Sequence, residues 1–112
     1  MTNEVVGNYV RVHRRRRGLS QRELGILIGY AHGSAVGKHE RSNSMPSLVI
    51  ALAYEVIFDI PVGQIFVGFR SVVAQSVARN LQDLKADLAS SSGKRRMSNP
   101  EKTQWLTNQR IG

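Results

Sequence analysis

At 112 residues the chain is one domain long, and its 41% hydrophobic content is enough for one small core but not two. Sixteen Lys and Arg against eight Asp and Glu give a formal charge of +8, which points to a phosphate-bearing partner; the alternative is a basic protein with no polyanion partner. The absence of cysteine excludes a disulfide scaffold and a thiolate metal site, the opening MTNEVVGNYV lacks the basic-then-apolar pattern of a secretory signal, and no window approaches the roughly 18 apolar residues of a membrane span, so a cytoplasmic protein is expected.

The spacing of Val6, Val10 and His13 predicts a first helix over Asn3 to Arg17, with Asn3 as N-cap and Glu4 near the positive end of the dipole. Arg14 to Arg17 fall in its last turn and Gly18 supplies the stop. Ser20-Gln21-Arg22-Glu23 is a capping box and opens a second helix with Leu24, Leu27 and Ile28 on its apolar face. Gly29 reads as a left-handed C-cap, and Tyr30 to Gly33 as a turn. A third helix begins near Gly33 and runs to Arg41. Its glycines, Gly33 and Gly37, disfavour a helix by about 1 kcal/mol each relative to Ala. Packing through Val36 and His39 must therefore hold it.

Ser42 to Pro46 is a loop by composition. Ser47 caps a fourth helix, Leu48 to about Ile57, with Leu48, Ala51, Leu52, Glu55 and Val56 on related faces; it is expected to be the most buried element. Phe58 to Pro61 connects to a short fifth helix, Val62 to Phe66, with Pro61 at its start. After Gly68, a long helix is predicted over Phe69 to Ala89. Val77, Leu81, Leu84 and Leu88 form a narrow stripe of coiled-coil spacing along it, preceded by Ala74, though over only about two heptads. Ser90 to Gly93 opens a flexible tail with a basic cluster at Lys94 to Arg96 and a short helix over Glu101 to Asn108, carrying Trp105 and Leu106.

Several of these pieces, taken in order, resemble the helix-turn-helix domain of the Cro/repressor type, the Xre family of bacterial and phage regulators. They are RRGLSQREL at Arg16 to Leu24, Ile28-Gly29, KHER at Lys38 to Arg41, MPSL at Met45 to Leu48 and DIPVGQIF at Asp59 to Phe66. The resemblance covers Val6 to Phe66, a little over half of the chain. It implies a five-helix lambda-repressor-like domain, here residues 3–67; with the long helix read over 69–89 and the tail over 90–112, an all-α fold is expected. It also implies operator binding by a homodimer on double-stranded DNA, with no cofactor.

Roles carry over residue by residue. Gln21 matches a glutamine that hydrogen-bonds a DNA phosphate, as suits a helix N-terminus. Arg14 and Glu40 match a structural charged pair. Gly33, Ser34 and Lys38 match the base-reading positions: Lys38 can donate to guanine O6 or N7, Ser34 can donate or accept, and Gly33 lets backbone approach. Arg41, Asn43 and Ser44 match a loop that grips phosphate. The sequence departs from the family in three places. The turn is one residue longer than the commonest form, Gly37 stands where a better helix former is usual, and His13 and His39 stand where core apolar residues are common.

The sharper readings have plainer rivals. His13, His32 and His39 lack a metal-ligand spacing, so packed or surface histidines are expected and no metal. Arg14 to Arg17 point about 100° apart at each step, so they cannot all face DNA: Arg14 is expected to be structural, Arg15 and Arg16 solvated and Arg17 near phosphate. The stripe Val77, Leu81, Leu84 and Leu88 is expected to form a homodimer seam, since the five-helix domain is already complete at Phe66; packing within the chain is the alternative. No serine is placed by a motif beside a histidine and a carboxylate, so an enzyme is not expected. The expected function is a sequence-specific DNA-binding regulator, more readily a repressor than an activator. The alternative is an antitoxin-like interaction module whose long helix and tail clamp a protein partner. Non-specific RNA binding ranks below both for want of aromatic platforms.

Overall fold

The computed structural model describes residues 7–90 and 100–109. Their regular structure is all helical: α1 (Val10–Arg16), α2 (Gln21–Leu27), α3 (Ser34–Glu40), α4 (Leu48–Phe58), α5 (Val62–Ile65), α6 (Val67–Ser90) and α7 (Pro100–Asn108). The expected N-cap Asn3, with Glu4 and Val6, lies outside the described residues, as does the Lys94 to Arg96 cluster. Among the described residues no helix is long and apolar enough to cross a membrane.

The first helix is shorter than its periodicity suggests. Residues 7–9 are not helical because their polar groups are used elsewhere. Oδ1 of the Asn8 side chain accepts from the Val10 amide at 3.0 Å, a local turn that competes with helix. The Tyr9 amide donates to Ile65 O at 2.8 Å, and Gly7 O accepts from the Gly68 amide at 3.0 Å. At the other end Gly18 takes φ +68°, the left-handed stop its residue type suggests.

The capping box at Ser20 forms in full. Ser20 Oγ accepts from the Glu23 amide at 3.0 Å, and Glu23 Oε1 accepts from the Ser20 amide at 2.8 Å. Those bonds, the backbone one foremost, hold the Glu23 carboxyl below its ordinary pKa. Leu24 and Ile28, one turn apart, are buried, whereas Leu27 points outward, against expectation. Gly29, at φ +108°, ends the helix.

The core gathers Val10, Leu24, Ile28, Val36, Tyr54, Phe58, Ile65 and Phe66. Two expectations for α4 are corrected here. Phe58 is not part of the connection but the last residue of the helix, and it is fully buried. The inward face is Ala51, Tyr54 and Phe58, not Leu48, Leu52 and Val56, which are exposed. The largest rings decide the orientation: Tyr54 and Phe58 stack at 5.9 Å, one turn apart. Glu55 is not on an apolar face either. Its Oε1 accepts from the Val62 amide at 2.9 Å and so caps α5. Ser47 Oγ accepts from Ile50 N as expected, and Asp59 closes α4 in the left-handed conformation.

The chain divides into two units, Met1–Arg70 and Ser71–Gly112, with the boundary inside α6. Gly68 does not interrupt the chain as predicted; it lies in the first turn of α6, which starts at Val67, directly after the core residue Phe66. In the second unit Leu81 and Leu106 are buried, Leu88 is half-buried, and Val77 and Leu84 are exposed. The leucine stripe is therefore partly covered within the chain.

Candidate nucleic-acid interface

Helices α2 and α3 meet across the turn at residues 28–33, and two glycines let them do so. A Cβ on Gly25 would lie 2.2 Å from His32 O, and one on Gly33 would lie 2.7 Å from the Arg22 amide nitrogen. Both obstacles are backbone, so neither helix can yield locally. Gly33, expected to let the protein backbone approach DNA, is thus also required by the packing of α3 on α2. Gly25 was missed, although a glycine in mid-helix beside the apolar Leu24 is itself a sign of close approach.

No side chain of the N-cap residue, Gly33, closes the start of α3. His32 does this instead: its Nδ1 accepts from the Ser34 amide at 3.4 Å and lies 2.8 Å from Ser34 Oγ. At about 100° per residue, Ser34, Lys38 and Arg41 fall on one side of the helix, and all three are exposed. Val36 and His39 fall on the other and are buried. His39 Nδ1 and Tyr54 Oη share a 2.7 Å hydrogen bond. Burial lowers the pKa of His39, and burial, then Glu40 and Tyr30, raises that of Tyr54. The polar groups in the core are therefore a hydrogen-bonded pair, neutral at neutral pH.

The C-terminal end of α3 is fixed by three residues from outside it. The Asn8 amide donates to His39 O at 2.9 Å and to Ser42 Oγ at 3.2 Å. Arg14 and Glu40 form a nearly buried ion pair, in which Nε and Nη2 each donate to one carboxylate oxygen. Arg14 Nη1 also donates to Leu19 O at 2.8 Å. Gln21 Nε2 donates to Glu40 Oε1 at 3.1 Å. Thus Gln21, expected at a phosphate, has one amide hydrogen committed to Glu40 and one left to donate.

Around this junction lies an open basin lined by Arg11, Arg15, Arg22 and Arg41, with Arg14, Gln21 and Glu40 at its floor. Five guanidiniums thus surround one carboxylate. Sequence reasoning did not single out Arg11 or Arg22, because only the folded chain brings α1 and α2 to one basin. Asn43 and Ser44 are exposed in the loop after Arg41.

Arg17 does not join this basin. Its guanidinium donates to His13 O at 3.1 Å and Phe58 O at 2.7 Å, and sits 5.0 Å over the Phe58 ring. A cation at the C-terminal carbonyls of α4 is favourable in itself. This replaces the expected phosphate role with a structural one. Burial, then Arg16 and Arg17, lowers the pKa of the neighbouring His13.

No protein-family model matches the chain, and no curated protein matches it.

Proposed function

We propose that the protein is a sequence-specific DNA-binding regulator of the Xre type, acting in the cytoplasm. In this reading α1 to α5 form a lambda-repressor-like domain and α3 lies in the major groove. One observation carries the reading: a short helix packed on α2 turns Ser34, Lys38 and Arg41 outward, beside a basin rich in arginine. Lys38 and Ser34 then meet base edges. Arg41, Asn43, Ser44 and the free amide hydrogen of Gln21 meet phosphate, with the basin arginines adding charge. A homodimer presents two such helices to half-sites roughly 34 Å apart, and occupancy of a promoter represses transcription.

Selection of bound sites from a random duplex library tests this. A palindromic site is the expected result, and no enrichment would remove the reading. On that site Lys38→Ala should lower discrimination at one position per half-site by about 1 to 3 kcal/mol. Equal weakening on every sequence would reassign Lys38 to phosphate. The alternative, an antitoxin-like module, rests on the exposed Val77, Leu84 and Trp105 of the second unit. It predicts a tight protein partner and no selected site.

A further inference from the structure

Helix α4 has apolar residues on every side but is covered on only one. At about 100° per residue, Leu48, Val49, Leu52 and Val56 share an arc of about 100°. They are 73%, 74%, 44% and 80% exposed, opposite the buried Ala51, Tyr54 and Phe58. Met45, 68% exposed, lies just before the helix. Isolated exposed apolar residues are ordinary, but a continuous arc of them marks a contact surface. A helix that is apolar all round belongs in an interior.

The chemistry around the arc narrows what covers it. Residues 42–69 contain no Lys or Arg, although the chain has sixteen, and their only charges are Glu55 and Asp59. Glu55 is turned to the Val62 amide. A nucleic acid or an anionic membrane needs cations here; the segment itself has none, and Arg17, at the C-terminal end of α4, is turned to Phe58 O and the Phe58 ring on the buried side. We propose that the arc is the seam between two copies of this chain. A two-fold contact sets apolar side chains against apolar side chains and keeps cations from facing cations, which matters for a chain of charge +8. The five residues expose roughly 600 Å² per copy, so a pair that covers them fully buries about 1,200 Å², the lower limit for a specific interface. The stripe on α6 offers less, since Leu81 is only 8% exposed. This seam does not depend on the DNA-binding reading, but it would supply the second recognition helix that reading calls for.

Sedimentation of the full chain without DNA is the test. The wild-type chain should pass from monomer to dimer mass across the micromolar range. Leu52→Glu with Val56→Glu should weaken the dimer about a hundredfold or more, since like charges then meet. Circular dichroism should show its helix content and melting unchanged, because both side chains face solvent. If that variant unfolds, Val49→Ser with Val56→Ser should still weaken the dimer measurably. Val77→Glu with Leu84→Glu should leave it intact. A wild-type chain that stays monomeric, or a dimer that survives the α4 substitutions, overturns the proposal. A dimer that selects no DNA site removes the proposed function and keeps the seam; a monomer that selects one does the reverse.

Discussion

Helices α2 and α3 have seven residues each and pack on one another, but they are held in opposite ways. Ser20, Glu23 and Gly29 fix α2 at both ends through bonds between near neighbours. Helix α3 has glycines at its N-cap and in its middle. Apart from His32 at its N-terminus, its supports come from Asn8, Arg14, Gln21 and Tyr54, all distant in sequence. A helix with little propensity of its own can thus be placed accurately when every support arrives from outside. The surface proposed to read DNA is the one that depends on the rest of the domain.

The sharpest way to break this contrast is Glu40→Ala. It removes the carboxylate that receives α1 and α2 at once and leaves Arg14 nearly buried without its partner. A loss of about 3 to 5 kcal/mol is expected by urea unfolding. Arg14→Met with Glu40→Leu should recover most of it, since an apolar pair of similar size carries no desolvation cost. A loss below about 1 kcal/mol for Glu40→Ala would mean that α3 does not need the junction.

Acid should act on α3 more than on α2. His39 has its pKa lowered by burial, so the unfolded chain takes up the proton first. Its contribution is complete above the ordinary histidine value of 6.5 and falls away as pH drops below it. One proton can change stability by at most about 1.4 kcal/mol per pH unit. His13, shifted the same way, adds to the trend. Thermal melts between neutral and mildly acid pH should show falling stability. A His39 imidazole signal that titrates at or above the ordinary value would contradict the assignment.

The smallest effect belongs to α2. Ser20→Ala removes one half of the capping box and should cost about 1 kcal/mol. Hydrogen exchange should report the change in α2 first, with α3 following only through global unfolding. Equal local opening of both helices would erase the distinction between them.

What the sequence made legible follows the same division. The caps at Ser20 and Ser47 and the stops at Gly18 and Gly29 are local chemistry, written in adjacent residues, and they match the structure. The inward face of α4 was not legible, because a helix apolar on every side gives periodicity nothing to choose between. Tyr54 and Phe58 settle that choice by size, which only packing can weigh. The start of α1 was misread because Asn8 looks like any helical surface residue until its contacts with His39 and Ser42 are seen. Arg17 was misassigned for a related reason. An arginine in a basic run resembles its neighbours, and only the fold sets it against Phe58.

The short non-helical stretch before α1 has a practical side. Asn8 is tied to the end of α3, Tyr9 to the end of α5 and Gly7 to the start of α6. These bonds work as a latch between the N-terminal side and three helices. An affinity tag or a protease site placed there is coupled, through Asn8, to the helix proposed to contact DNA. The position of a purification handle is therefore part of the biochemistry of this protein.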